Sequence, residues 1–439
     1  MSLLLGAARR DITPKKPLFL WGYPYVPRTS TGVHDPLWAS AMAIRNGDRS
    51  VILIAADALF ICPDGTHKCR EAIRAKTGVP PECVLISTTH GHSAPVVVDY
   101  IASRADPTIP PPDPEYIAQY HQAVSDAAIE AFAKAEPAEL AATSAQVSGV
   151  GTNRLSPDAP RDPEVGLLYA RRLKDSSPLA LAMVYAMHPT VLHEDSKLVS
   201  ADFPGYARDE IGAAFPGLTV LYHNGAAGNQ SPRYSVKGQT FAEAERLGRI
   251  LGRSVTVALA GLKAKDFSHD PVLAGRIAKV NPIPRKMPSV ADAEAANRAA
   301  LENFERLKRE GAPHGPVRTA ECTTFGTMEA LLYAKLAASG ELQARLRRYL
   351  PSEAQVLRIG DQAIVGLPGE FFVEYALEIK KRAPMKTSVV CYANGELQGY
   401  IVTPEAAAAG GYEAQNSVFD CRTGTLFVDA ALALLRDLA

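Results

Sequence analysis

The stretch Ser87–Val96 reads STTHGHSAPV, two histidines two positions apart just after the apolar run CVLIS at Cys83–Ser87. Imidazole is a metal ligand and a proton carrier near neutral pH. Alternate residues of extended chain share a face, so His90 and His92 can address one point at a strand end. Gly91 between them permits close backbone approach. A hydrogen-bonded structural pair would read the same way, so two histidines alone make no site. His188, in AMVYAMHPTVL, ends another apolar run and is followed by Pro189, which cannot continue a central strand; it is a second candidate ligand, or a satisfied histidine at a strand end. His193, further along that loop, reads as a surface residue.

Two more stretches have the same setting. NGAAGNQSPR (Asn224–Arg233) follows an apolar run, and its glycines and proline impose a turn that can expose backbone N–H groups and the Ser231 hydroxyl. Such a loop suits a nucleophile or an anion-stabilising turn. It is not the GxSxG elbow, and an ordinary turn serine reads alike. In LPGEFFVEYALEI, Glu370 follows a run and a Pro-Gly turn and opens a helical pattern. It is either a metal ligand aimed at the strand ends or a residue favoured by the helix dipole.

The elements that must position these groups are short apolar runs alternating with helical patterns. Val51–Ala58, Cys83–Ser87, Leu179–Met187, Leu218–Asn224, Gln362–Leu367 and Thr387–Asn394 predict buried strands. Asp64–Thr77, Tyr116–Lys134, Phe241–Leu262, Phe371–Lys381 and Val428–Leu438 predict helices. The pattern is α/β, a mixed central sheet flanked by helices. Loops that follow parallel strands of an open sheet can converge, which raises the four candidates together above any one of them. Thr108–Glu115 predicts a proline-rich surface loop. Val290–Lys308 and Thr327–Leu350, joined through GAPHGP, predict a helical insertion near 290–350 that caps one edge of the sheet or lies peripheral to it.

With 439 residues, 47% apolar and 21% charged, the chain has ample material for a core. Lys plus Arg and Asp plus Glu both number 47, which argues against a general nucleic-acid or anionic-membrane binder. No apolar run of about 18 residues predicts a transmembrane helix. The N-terminus places Leu3–Leu5 before Arg9-Arg10, the reverse of a signal peptide. Six scattered cysteines read as reduced thiols. A cytoplasmic protein is expected.

In chain order, ARRDITP (Ala8–Pro14), GVHDPLWASAMAI (Gly32–Ile44), TTHGHSAP, TNRLSP (Thr152–Pro157), MHPT, SADFPGYA (Ser200–Ala207), NGAAGNQSP, VGLPGE, GYIVTPE (Gly399–Glu405) and YEAQNS (Tyr412–Ser417) resemble the neutral/alkaline non-lysosomal ceramidase family. The resemblance implies a zinc-dependent amidase that cleaves the N-acyl bond of ceramide, with one Zn2+ per chain held by His90, His188, Glu370 and Tyr400. It implies that His92, Arg154 and Tyr412 contact the reacting group and that Ser231 is the essential serine. Zinc would polarise the carbonyl or a water while donors steady the growing negative charge.

Three departures qualify this. Asn229 stands where the family's GDVSP-like run has aspartate. The immunoglobulin-like C-terminal domain of true ceramidases is not seen after the last motif, nor is their signal. The substrate is therefore expected to be a small amide or a lipid-like molecule, ceramide or a smaller relative. An esterase or other metallohydrolase on the same scaffold, and a non-catalytic zinc-containing ligand-binding protein, are the alternatives. A site drawn from residues as far apart as 90 and 412 predicts one catalytic domain over 1–439. Asp11, His34, Asp35, Asp57 and Asp202 read as loop-shaping residues. Oligomeric state is not readable from these features.

Overall fold

Along Arg49–Ala56 both faces of the strand are apolar: Val51, Leu53 and Ala55 enter one buried cluster, Ile52, Ile54 and Ala56 another. A strand covered on both sides shows no polar alternation, which is why such runs are conspicuous in the sequence. The computed structural model describes residues 3–101, 106 and 108–439. Its largest sheet has nine strands. From one edge to the other they run Thr219–Asn224, Pro178–Tyr185, Glu164–Arg172, Glu136–Gln146, Leu4–Asp11, Trp38–Asn46, Arg49–Ala56 and Val84–Thr88, with Phe267–Ser268 added beside Glu136–Gln146. Only the pair at each edge is parallel: Arg49–Ala56 with Val84–Thr88, and Pro178–Tyr185 with Thr219–Asn224. The interior pairs are antiparallel. The architecture is the expected α/β, with a mixed central sheet flanked by helices.

Gln362–Gly366 and Lys386–Val390 lie in a second sheet, with Leu273–Val280 and Ser352–Ile359. Leu357, Ile359, Ile364 and Val390 of this sheet share a cluster with Leu53, Leu85, Leu168 and Leu221 of the first, so the two sheets pack face to face. On the outer faces, Pro63–Thr77 and Pro114–Ala133 cover the first sheet, and Val373–Arg382 and Arg422–Leu438 the second. Asp202–Ala214 and Phe241–Ala260 cover the part of the first sheet around Glu136–Gln146 and Pro178–Tyr185. Helix starts follow local chemistry. Asp113 accepts from the N–H of Tyr116 at 2.9 Å ahead of Pro114, and Ser289 accepts from Asp292 at 3.1 Å.

The insertion is helical throughout: Val290–Arg309, His314–Ala338 and Glu341–Leu346. Its second helix starts inside the GAPHGP stretch rather than near Thr327. Pro316 falls in the first turn, where a missing N–H breaks no helical hydrogen bond. Gly340, at φ 78°, ends that helix and starts the next. Among the described residues no helix is long and apolar enough to cross a membrane.

Candidate functional site

The loops that follow the parallel strands meet. The two edges of the large sheet curl toward each other, so that Ser87 Oγ and His223 Nδ1 lie 2.7 Å apart, and the second sheet joins them where Cys391, just after Lys386–Val390, donates its N–H to the carbonyl of Asn224 at 2.9 Å. His90 stands two residues past Val84–Thr88 with φ 62°, in the left-handed region that a non-glycine residue adopts at a cost of roughly 1–3 kcal/mol. His188 stands three residues past Pro178–Tyr185. Glu370 opens a two-residue parallel bridge with Tyr400–Ile401, in which Glu370 pairs with Tyr400. That register sets the carboxylate and the phenol side by side.

The rings of His90 and His188 are 4.8 Å apart, and those of His90 and His92 4.9 Å. Glu370 Oε2 lies 3.1 Å from His188 Nε2 and 3.4 Å from His90 Nε2. His90 Nδ1 faces the carbonyl of Leu59 at 3.1 Å, and His188 Nδ1 faces those of Ala227 and Gln230 at 2.5 and 3.1 Å. A carbonyl only accepts, so both rings carry their proton on Nδ1 and turn the Nε2 lone pair toward Glu370. This backbone anchoring is the outer shell usual for metal-bound imidazole. His92 differs, since neither of its nitrogens has a hydrogen-bond partner. Its ring fits against Gly22, at φ +130°, where a Cβ would lie 2.4 Å from His92 Nδ1.

Burial governs the charges. It lowers the pKa of His188 to about 4, with Arg154 acting in the same direction. His92 is lowered well below its usual value, first by burial and then by His90 and His188. For Glu370 burial alone would raise the pKa, while His90 and His188 lower it to the extent that those rings carry a proton on Nε2. Tyr400 is raised, by burial first, with Arg154 pulling the other way. The result is two neutral imidazoles, His92 and His188, beside a carboxylate, a donor set that suits a cation.

Whether a metal fits can be tested on the orphaned atoms. Among the described residues, His90, His92 and His188 form the one group of at least three His, Cys, Asp or Glu whose ligand atoms lie within 4.8 Å of one another. His90 Nε2 is buried without a hydrogen-bond partner, a state that costs about 1–3 kcal/mol for a polar atom. Ligands about 2.05 Å from a tetrahedral zinc are about 3.3 Å apart, close to the Nε2–Oε2 separations above. The residues fit the group.

Arg154 and Ser231 arrive together. Thr152–Asn153 pairs antiparallel with Gln230–Ser231, and the N–H of Arg154 donates to the carbonyl of Asn229 at 2.8 Å. The Arg154 guanidinium lies over the Tyr400 ring at 5.1 Å, and its Nε donates to Glu413 Oε1 at 2.7 Å. Tyr412 packs its ring 5.8 Å from that of Tyr400. Ser231 Oγ accepts from the N–H of Arg233 at 3.3 Å and caps the turn Pro232–Tyr234. Among the described residues its link to an imidazole runs through its neighbour: the N–H of His188 donates to the Gln230 carbonyl at 3.1 Å. Asn229 faces away: its Oδ1 accepts from the N–H of Val373 at 2.9 Å and its Nδ2 donates to Glu374 at 2.8 Å, so it holds the start of Val373–Arg382. Gly228 lets that turn close, because a Cβ there would lie 2.7 Å from the Glu370 carbonyl.

Sequence reasoning missed several supports. Glu413, buried beside Arg154, had only its place next to Tyr412 as a signal. Tyr392 stacks on His90 at 4.1 Å. The fully buried Arg28 donates to the His92 carbonyl at 2.7 Å and lies over the Tyr23 ring. His193, expected at the surface, is half-buried, its ring 5.6 Å from that of Tyr23. The aspartates do shape loops. Asp202 accepts from the N–H groups of Val191 and Leu192 at 3.0 and 2.9 Å, fixing the loop after His188. Asp35 accepts from Ala201 at 2.7 Å, and Asp57 binds Arg208 through both oxygens.

A two-sheet α/β protein with a buried histidine–carboxylate centre at the ends of its parallel strands is the class so defined. Residues 3–215 match the family model for neutral/alkaline non-lysosomal ceramidase, N-terminal. His90, His92, Arg154 and His188 fall inside that stretch; Ser231, Glu370, Tyr400 and Tyr412 lie beyond it. Two solved structures share the fold. One, described as a ceramidase complexed with C2, is 18% identical with a TM-score of 0.75, over 100% of this chain and 76% of that one. The other, neutral ceramidase from Pseudomonas aeruginosa, is 19% identical with a TM-score of 0.76, over 100% and 75%.

Proposed function

We propose that the protein is a zinc-dependent hydrolase that cleaves the C–N amide bond of an N-acyl substrate, a small or lipid-like amide of the ceramide kind. The observation that carries this reading is the pair of backbone-anchored imidazoles whose Nε2 lone pairs converge on one buried carboxylate. His90, His188, Glu370 and Tyr400 would hold a single ion, leaving room for a substrate oxygen or water. Bound there, zinc would polarise a carbonyl and bring the pKa of a water toward neutrality. His92, with both nitrogens unengaged, is free to bind substrate and to take or give a proton. Arg154 and Tyr412 supply donors for the negative charge that grows on the tetrahedral carbon. Ser231 sits at the turn that adjoins His188 and would be the essential serine. Asn229 has a structural post, so losing the family's aspartate there removes no group that faces the histidines.

The chain acts as one catalytic unit over 1–439 in this reading, with the 290–350 helices capping the site; Gly326 lies against Tyr412. Six unpaired cysteines fit a reducing, cytoplasmic setting. Metal analysis should find about one zinc per chain. Turnover of N-acyl amides of graded chain length, set against matching esters, tests the reaction. Faster ester cleavage with no amide cleavage would make the protein an esterase, and no turnover of either by the zinc-loaded protein would make it a binding protein. Full turnover by Ser231→Ala would reduce the serine to a turn residue.

A further inference from the structure

Behind Tyr412 a line of buried polar groups runs into the capping helix His314–Ala338. Asn416 Nδ2 donates to the Tyr412 hydroxyl oxygen at 3.4 Å, and the Tyr333 hydroxyl donates to Asn416 Oδ1 at 3.1 Å. On its other side the Tyr333 oxygen lies 3.3 Å from Glu329 Oε2. Glu329, Tyr333 and Asn416 are 2%, 0% and 4% exposed, so bulk solvent does not reach their polar atoms. One hydroxyl proton cannot serve two acceptors. If Tyr333 gives its proton to Asn416, the Glu329 contact is a hydrogen bond only when the carboxyl itself carries the donating proton.

We infer that Glu329 is a positioning residue for the hydrolysis, acting as a neutral acid that orients the relay Glu329–Tyr333–Asn416–Tyr412 so that the Tyr412 O–H points at the reacting carbonyl. The inference rests on the reading of Tyr412 given above. Each bond fixes the next. Protonated Glu329 donates to the Tyr333 oxygen, Tyr333 donates to Asn416 Oδ1, and the amide is thereby held with Nδ2 toward Tyr412. A phenol oxygen that already accepts keeps its own proton for an outward bond, which is what an anion-stabilising donor needs. Ionisation of Glu329 would draw the Tyr333 proton to itself and leave Asn416 Oδ1 without a donor.

The surroundings favour the neutral form. Burial raises the Glu329 carboxyl to about 8, with Asp106 and Glu370 acting in the same direction and the Tyr333 hydroxyl opposing. The phenols of Tyr25, Tyr100 and Tyr412, each raised by burial, and the Arg285 guanidinium, lowered by burial with Tyr333 opposing, also face this pair.

The test is a pH profile of kcat on the N-acyl amide turned over best, for the zinc-loaded wild type, Glu329→Gln, Asn416→Asp and Tyr412→Phe, with zinc content and melting temperature as controls. Wild-type kcat should fall at least tenfold on an alkaline limb near pH 8. Gln, whose amide donates at every pH, should keep kcat at pH 7 within about threefold and remove that limb. Asn416→Asp offers Tyr412 an acceptor instead of a donor and should lower kcat about tenfold or more with KM little changed. An alkaline limb unchanged in Glu329→Gln, while Tyr412→Phe is impaired, overturns the relay and leaves the role of Tyr412 standing. Full activity of Tyr412→Phe, or no hydrolysis by the wild type at any pH, overturns both.

Discussion

Two groups of buried polar side chains sit at the loop ends of this protein, and they have opposite hydrogen-bond states. Around Asp57 and Asp202 every contact closes. Asp57 holds Arg208 at 2.9 and 2.8 Å and accepts from the N–H of Trp38 at 2.8 Å, while Asp202 accepts from three backbone N–H groups. Around His90, His92 and His188 the inner nitrogens stay open: His90 Nε2 and both nitrogens of His92 lack a partner. Buried polar groups are normally paired. The closed group is therefore scaffold, and the open one has a binding capacity to fill.

The contrast breaks most visibly at the proposed ligands. His188→Ala or Glu370→Ala should leave less than a tenth of the bound zinc and lower kcat/KM on the order of a thousandfold, about 4 kcal/mol of transition-state stabilisation. Metal analysis and kinetics read both, and a zinc content equal to wild type in both variants would end the metal reading.

Arg208→Ala should do the converse. It strands the buried Asp57 carboxylate (1% exposed side chain), so stability should fall by about 3–5 kcal/mol while zinc per folded chain stays the same. Denaturant unfolding with metal analysis separates the two effects. Loss of zinc from still-folded protein would mean that the scaffold and the site are not distinct.

A milder effect comes from two buried acids. Burial raises Glu329 and Glu396 to about 8, from the usual 4.5. A folded-state pKa above the unfolded one means stabilisation that is complete below about pH 4.5 and is lost as pH rises through about 8. The melting temperature should thus decline between about pH 5 and 8, and Glu396→Gln should flatten part of that slope. An identical slope in the variant would show that Glu396 is not held protonated.

The smallest effect is expected at Asn229→Asp. One carboxylate oxygen still accepts from Val373, but the other meets Glu374 where an N–H donated before. Stability should fall by about 1 kcal/mol, with zinc binding unchanged. A large gain in turnover would instead mean that the aspartate of the family acts on the reaction.

Legibility in the sequence followed burial. The parallel edge strands Arg49–Ala56, Val84–Thr88, Pro178–Tyr185 and Thr219–Asn224 were readable because both their faces are covered and each contains a run of consecutive apolar residues. Antiparallel strands such as Glu136–Gln146, EPAELAATSAQ, were not, because alanine and glutamate favour other conformations and only pairing with Glu164–Arg172 makes this segment extended. The site divides in the same way. His90, His188, Ser231 and Glu370 each stood out because a polar residue directly after an apolar run is a local pattern. Glu413 beside Arg154 and the Glu329 relay left no comparable mark.

What the sequence by itself determined was the supply: which strands end in which side chains, and that the donors are nitrogen and oxygen. Tertiary structure alone decided their meeting, because the curl of the large sheet, the Glu370–Tyr400 register and the carbonyls behind His90 and His188 all join residues far apart in the chain. No short stretch of sequence carries such information, since the energy that fixes it comes from packing and hydrogen bonding between segments that are strangers in sequence.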